Sequence, residues 1–382
     1  MASLKPAWRE RFERALEERQ LAGNLRQLRP ASTRVDFCSN DYLGLARTDL
    51  LVEQAPARAG ATGSRLITGN YPAIELLEGQ LATYHGAESG LIFGSGYTAN
   101  IGLLTCVARR GDTLLYDQLC HASLRDGLQL SPARTLGFRH NDLDELEAKL
   151  RRSGGQRFVV VESIYSMDGD AAPLVDLTSL CTRYDAALIV DEAHAVGVFG
   201  ARGEGLVSAL GLEAAVWARI VTFGKALGGH GAIVLGPRYL RDFLINFCRP
   251  FIYTTAPPPL SIQHLGLAYR ELERGTQLAA LRGVLAHWEE QIVKRFPHFG
   301  VLLGSSAIRV WPVPGNERAK ALAASIRQAG FEVKAILHPT VARGSERIRI
   351  CLHAFNTFAE MEALLQLLNR ESEKNNYEFT RT

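Results

Sequence analysis

Asp191, His194 and Lys225 are the residues of this chain best placed to do chemistry. Asp191 closes the run Ala187-Leu188-Ile189-Val190 and leads into Glu192-Ala193-His194. Lys225 comes about thirty residues later, after Ile220-Val221-Thr222-Phe223-Gly224. A short β-branched apolar run that stops abruptly on polar residues reads as a buried strand of a parallel sheet. In open α/β sheets, ligands bind just beyond the carboxyl ends of the strands. A carboxylate, an imidazole and a lysine gathered at one sheet edge suit pyridoxal 5'-phosphate. The lysine forms a Schiff base with its aldehyde, and the aspartate keeps its pyridine nitrogen protonated. Asp-Glu at a strand end also serves as a plain helix cap. Asp-Glu-Ala-His spells a helicase box too, but that reading needs an upstream G-x-x-x-x-G-K-[ST] loop, which the chain lacks. Taken together, the two segments favour the cofactor.

The elements that must position these residues can be read from the same sequence. Its 382 residues suffice for one large domain and a smaller one. Apolar content of 47% and a mean hydropathy of -0.03 are those of an ordinary globular protein. A net charge of +3 gives no footing for nucleic acid or a membrane surface. No apolar stretch approaches a membrane span, and the charged N-terminus lacks a signal-peptide core. The six cysteines are scattered, with no C-x-x-C and no Cys/His spacing of a zinc site. Reduced thiols, a cytoplasmic location and no metal centre are therefore expected.

Strands are predicted over 90–93, 113–116, 158–162, 187–190, 220–223 and 232–235, and helices over 74–84, 99–108, 142–151 and 175–184. That alternation implies an α/β fold with a mostly parallel sheet covered by helices. An amphipathic helix over 8–28, broken by Pro30, and an extended piece with a turn over 36–45 precede it. After Pro257-Pro258-Pro259 the pattern is one long helix over 261–296. Short strands (307–312, 331–335, 347–352) then alternate with helices (319–329, 359–368) as a smaller α+β domain. The expected division is an N-terminal helix and arm (1–45), a large cofactor-binding domain (46–260), a small C-terminal domain (261–370) and a frayed polar tail (371–382).

Further motifs fall at chemically useful places. Gly94-Ser95-Gly96-Tyr97-Thr98-Ala99-Asn100 follows a strand and opens a helix, where backbone N–H groups bind anions and glycines admit a phosphate. Arg347 and Arg349 share one strand face, and either guanidinium could grip a carboxylate. His121-Ala122-Ser123-Leu124, Ser163-Ile164-Tyr165-Ser166-Met167-Asp168-Gly169-Asp170, Ser39-Asn40-Asp41-Tyr42-Leu43-Gly44-Leu45 and Tyr253-Thr254-Thr255-Ala256-Pro257-Pro258 complete the set.

With these motifs in this order, the chain resembles the α-oxoamine synthases over about residues 26–368. These are fold-type-I pyridoxal phosphate transferases, and within them the likeness is strongest to the branch serving biotin biosynthesis. The resemblance implies that Lys225 is the Schiff-base lysine, that Asp191 pairs with the ring nitrogen and that His194 bonds the phenolic oxygen. It implies that His121 stacks on the ring and can bond substrate, that Ser166 contacts the cofactor, and that Gly96, Tyr97 and Thr222 hold its phosphate. Thr255 would reach the phosphate of a neighbouring subunit, implying a homodimer with shared active sites. Asn40 and Arg349 would hold the amino-acid carboxylate, so the resemblance selects Arg349 over Arg347. Arg26 and Thr340 would line the acyl site. The implied activity is an acyltransferase reaction, the decarboxylating condensation of L-alanine with a pimeloyl thioester of coenzyme A or a carrier protein. Sister reactions such as glycine C-acetyltransferase are the alternative. A non-catalytic partner subunit on the same fold is disfavoured by Lys225. The chain departs from the pattern in shortened segments between Arg29 and Phe37 and over 50–61.

Overall fold

The computed structural model describes residues 7–26, 28, 30, 32–51, 58–302 and 304–375. Met1–Pro6, Arg29, 52–57 of the shortened segment and 376–382 of the expected tail lie outside the described residues. Among the described residues, twelve strands are formed. They are β1 (Val35–Asp36), β2 (Ser89–Phe93), β3 (Thr113–Asp117), β4 (Arg134–Phe138), β5 (Arg157–Glu162), β6 (Ala186–Asp191), β7 (Ala218–Thr222), β8 (Ala232–Gly236), β9 (Ile308–Pro312), β10 (Phe331–Glu332), β11 (Lys334–Ile336) and β12 (Arg347–Cys351).

Seven of them form one sheet in the order β2-β8-β7-β6-β5-β3-β4. All neighbours are parallel except β8, which runs antiparallel to both β2 and β7. The mostly parallel α/β sheet expected from the sequence is present. Side chains alternate across it as a pleated strand requires. Leu114, Val160, Ile189 and Ile220 pack into one core with helices Gly96–Val107, Ala122–Leu130 and Arg238–Phe247. Leu115, Val159, Val161, Leu188 and Val190 pack into another with helices Leu143–Leu150 and Leu174–Arg183.

A three-stranded antiparallel sheet, β11-β12-β9, carries the C-terminal part. Its core includes Trp311, Ile348, Ile350, Leu364 and Leu368. Helix Thr276–Arg295 joins the two regions: Leu278 and Leu281 pack with the core beside the large sheet, and Val284, Trp288 and Ile292 with the core of the small one.

Several expectations need correction. The edge strand β4 is absent from the predicted set. Its sequence, Arg-Thr-Leu-Gly-Phe, is short, half-exposed and interrupted by glycine, so it lacks the apolar run of a central strand. Helices Ala122–Leu130 and Arg238–Phe247 also went unpredicted. The single helix over 261–296 is two, Pro259–Arg274 and Thr276–Arg295, because Gly275 adopts φ 74° and turns the chain. The strand expected over 331–335 splits: β10 pairs in parallel with β1, and β11 joins β12. The tail begins later than expected, since helix Phe358–Asn375 continues through buried Glu371 and Ser372. No described helix is long and apolar enough to cross a membrane.

Candidate active site

β6 and β7 are neighbours in the sheet, and Asp191 pairs in register with Ile220. Their carboxyl ends therefore deliver Asp191, Thr222 and the Phe223-Gly224-Lys225 turn to one place. That turn is held by the Gly228 N–H bond to the Lys225 carbonyl (2.9 Å) and the Phe223 N–H bond to Gly231 (2.9 Å). Gly228 has φ 59°, and a Cβ there would sit 2.2 Å from the Ala46 nitrogen. The Lys225 turn can thus lie directly on the N-terminal segment that carries Tyr42.

The half-buried Lys225 amine faces the His194 ring, with Nζ 2.7 Å from Nε2. On the far side of the ring, Nδ1 lies 2.6 Å from the Tyr42 hydroxyl. Burial, with the positive charge of Lys225 beside it, holds the imidazole well below its ordinary pKa. His194 is neutral, so when a protonated Lys225 donates to Nε2, the ring's one N–H points at Tyr42. Burial also pushes the Lys225 amine down to about 8, against the pull of Asp191 and Glu162. Glu162, at the end of β5, is pushed up to about 8 by burial and by the Asp191 charge.

The Asp191 carboxylate is fixed from both sides. It accepts the Ala193 backbone N–H on Oδ1 (2.9 Å) and the Asn100 side-chain amide on Oδ2 (2.8 Å). Asn100 also donates to the Ser123 hydroxyl (2.9 Å), which lies 2.8 Å from His121 Nδ1. His121 caps helix Ala122–Leu130, and its backbone N–H donates to Glu162 (2.5 Å). One chain of contacts therefore runs from Asp191 to the His121 ring.

At the other end of the cavity, helix Gly96–Val107 begins at Ser95 in a reciprocal capping box with Thr98. Its N-terminus and the Thr222 side chain converge. A Cβ on Gly96 would fall 2.4 Å from Thr222 Cγ2, so only glycine lets the helix approach this closely. The Thr222 hydroxyl is buried without a hydrogen-bond partner. An unpaired buried hydroxyl beside an exposed helix N-terminus fits an anionic group. Ser95, Gly96, Tyr97, Asn100, His121, Asp191, Thr222, Lys225 and His230 line a common cavity of about 240 Å³. Anion cradle, buried carboxylate and desolvated lysine together fit pyridoxal phosphate.

Arg349 lies on β12 and is buried. Its Nε donates to the Ser166 carbonyl (2.8 Å) and its Nη2 to Asn40 Oδ1 (2.9 Å). Its charge bears on both His194 and Lys225. Arg347, two residues earlier, is instead taken up in an ion pair with Asp168. The structure thus brings together Lys225, Asp191, His194, Thr222, Gly96, Tyr97 and His121, with Ser166, Asn40 and Arg349 on the side of the small sheet. Thr255, Arg26 and Thr340 are exposed in loops and do not line the cavity. Tyr42, Asn100, Ser123 and His230 were not singled out as site residues from the sequence, whereas Glu162 was expected to order this edge. A buried Asn in the otherwise apolar face of helix Gly96–Val107 was the one local signal.

The sequence profile described as aminotransferase class I and II matches residues 32–368. The chain is 41% identical to an 8-amino-7-oxononanoate synthase of Anaeromyxobacter dehalogenans, covering 87% of this chain and 85% of that one. It is also 41% identical to one of Chromobacterium violaceum, covering 89% of each. Among solved structures, it resembles the serine palmitoyltransferase of Sphingomonas wittichii (TM-score 0.87, 26% identity, 96% and 98% covered). It also resembles the 8-amino-7-oxononanoate synthase of Francisella tularensis (TM-score 0.75, 25% identity, 90% and 99% covered).

Proposed function

The chain belongs to the aminotransferase class I and II family, and on that premise we propose that it condenses L-alanine with a pimeloyl thioester, with loss of carbon dioxide, to give 8-amino-7-oxononanoate for biotin biosynthesis. Pyridoxal phosphate, when bound, supplies an aldehyde that condenses with amines and a ring that withdraws electrons from the amino acid's α-carbon. The protein supplies the rest. Lys225 carries the amine that attaches the cofactor and, once released, takes the α-proton and returns it. A pKa near 8 leaves part of that amine neutral near pH 7 to 8 and suits both duties. His194 orders Lys225 from one side, and Tyr42 fixes the His194 ring. Asp191, immobilised by Ala193 and Asn100, holds negative charge at the ring-nitrogen end. His121 covers the ring. The helix start at Gly96, with Tyr97 and Thr222, takes the phosphate. Ser166 holds Arg349 through its carbonyl, and Arg349 with Asn40 grips the alanine carboxylate as a planar fork.

Thr255, Arg26 and Thr340 act from the rim in this reading: Thr255 on the phosphate of a second subunit, the other two on the acyl chain. A shared site in a homodimer is supported by the exposed apolar patch around Thr255. The Ala256 N–H bonds the Gly63 carbonyl (2.9 Å), and the two segments so joined carry the exposed side chains of Tyr253 (72% exposed), Leu66 and Ile67 (53% and 81% exposed). Domains at 46–260 and 261–370, an acyl carrier that is coenzyme A or a protein, and a cytoplasmic location belong to the same proposal.

The observation that carries the reading is the placement of a desolvated lysine and a doubly anchored aspartate across one cavity from an unpaired hydroxyl at a helix start. The test is a matrix of amino acids against acyl thioesters with the holoenzyme, products read by mass. L-Alanine with a pimeloyl thioester should give the strongest signal. A preference for glycine with acetyl-coenzyme A would overturn the substrate assignment and leave the cofactor chemistry standing.

A further inference from the structure

His140 lies outside the cavity, in the segment Arg139-His140-Asn141 after β4. Both of its ring nitrogens face carboxylates. Nδ1 is 3.1 Å from each oxygen of Asp117, and Nε2 is 2.7 Å from Asp170 Oδ2. An imidazole bonded to acceptors through both nitrogens must carry both protons. The groups facing it are Asp117 at the end of β3 and, from the loop after β5, Asp170 and Tyr165, whose ring stands edge-on at 4.4 Å. The two carboxylates hold the His140 pKa up to about 10, despite its partial burial.

Each carboxylate anchors a different piece of the site. Asp117 is fully buried and also accepts the Leu119 N–H (2.8 Å) and the Asn141 N–H (2.9 Å). It thereby shapes the turn that ends in His121. Asp170 closes the 164–171 loop, its carbonyl accepting the Tyr165 N–H (2.9 Å). That loop presents the Ser166 carbonyl to Arg349 and Asp168 to Arg347. Asn141 reinforces the joint, donating to Asp170 (3.1 Å) and to the Ala171 carbonyl (3.2 Å).

We propose that His140 is a positioning residue: as a cation between Asp117 and Asp170, it locks the His121 turn to the loop that holds Arg349, and so sets the distance between the ring-covering imidazole and the carboxylate-binding guanidinium. The inference rests on the reading of Arg349 given above. Removing the charge should loosen amino-acid binding without removing any group that touches the amino acid.

The test titrates L-alanine into the holoenzyme and reads the absorbance change of the bound cofactor, with no acyl donor present. His140→Gln leaves Asp117 buried without a cation. Asp170→Asn, at a partly exposed position, is the variant that keeps the test informative if the first folds poorly. Both should weaken alanine binding by about three- to tenfold. In Asp170→Asn the imidazole loses one anion, so its pKa falls. Alanine binding should then weaken with rising pH earlier than in the parent protein, a shift a purely structural prop would not produce. Alanine affinity and pH profile within about twofold of the parent in both variants would overturn the proposal, provided Arg349→Lys does weaken binding. If Arg349→Lys leaves affinity unchanged, the failure belongs to the reading of Arg349, and the positioning role falls with it.

Discussion

Two groups of buried charges in this molecule are built on opposite plans. Around Glu78, every partner is supplied by the chain. Arg65 forms a two-pronged ion pair with its carboxylate, Arg241 adds a third contact (3.2 Å), and the Ile92 N–H donates to Oε1 (2.8 Å). Arg65 Nε is satisfied by Asn70 (2.9 Å). Around Lys225 the plan is reversed. The lysine's hydrogen-bond partner is a neutral imidazole, the Asp191 charge raises the cost of ionising Glu162, and the Thr222 hydroxyl has no partner. Burying an unmatched charge destabilises a fold, whereas a fully paired one is tolerated. The first cluster holds the fold together. The second keeps groups ready for something that the chain itself does not provide.

Substitutions should separate the two plans. The largest effect is expected from Lys225→Ala. Turnover should fall by about four decades or more and the bound-cofactor absorbance should vanish, with the melting transition intact. Turnover near the parent rate in pure protein would remove Lys225 from the mechanism. Asp191→Asn should bind cofactor but lose about 3–5 kcal/mol of charge stabilisation, two to three decades or more in rate. The readout is deuterium exchange at the α-carbon of L-alanine, and exchange at the parent rate would rule out Asp191 as the ring partner.

Glu78→Gln should do the opposite. It should lower unfolding free energy by about 3 kcal/mol in a denaturant titration and leave kcat of the folded enzyme unchanged. A specific loss of kcat would erase the distinction between the clusters. Arg349→Lys replaces a planar fork by a point charge. It should raise the alanine KM about 10- to 100-fold and change the KM for the acyl thioester much less, as steady-state kinetics would show.

The smallest effect concerns stability. The folded apoprotein holds Lys225 near pKa 8, below its ordinary 10.5. Between those values the unfolded chain binds more protons, so stability rises with pH from about 8 to 10.5. Lys225→Met should therefore stabilise the apoprotein below pH 8, by no more than about 3 kcal/mol. The gain should fade toward pH 10.5. A gain independent of pH would point to packing in place of charge.

Much of the site was legible because strands announce their own ends. Asp191, Thr222 and Lys225 each follow a β-branched run, and the sheet topology turns that sequence position into spatial proximity. What remained hidden depends on contacts between distant segments. Tyr42 meets His194 across 152 residues, and Asn100 meets Asp191 across 91. No periodicity encodes such pairings. Strand spacing alone puts Arg347 and Arg349 on one face, and the partners that separate them, Asp168 for Arg347 and Ser166 with Asn40 for Arg349, come from distant segments. Strand β4 escaped because an edge strand needs little apolar sequence, and the break at Gly275 because one left-handed glycine interrupts an otherwise continuous helical pattern. Thr255, Arg26 and Thr340 were legible only through resemblance; all three are exposed and none lines the cavity.

The central claim is that the cavity beside the unpaired Thr222 hydroxyl receives pyridoxal phosphate on Lys225. The most direct test is to reduce the holoenzyme with borohydride, digest it and map the cofactor-labelled peptide by mass spectrometry. The account predicts a single pyridoxyl-phosphate mass on Lys225, within Thr222-Phe223-Gly224-Lys225-Ala226. A label on another lysine, or a reduced protein with no label, would contradict it.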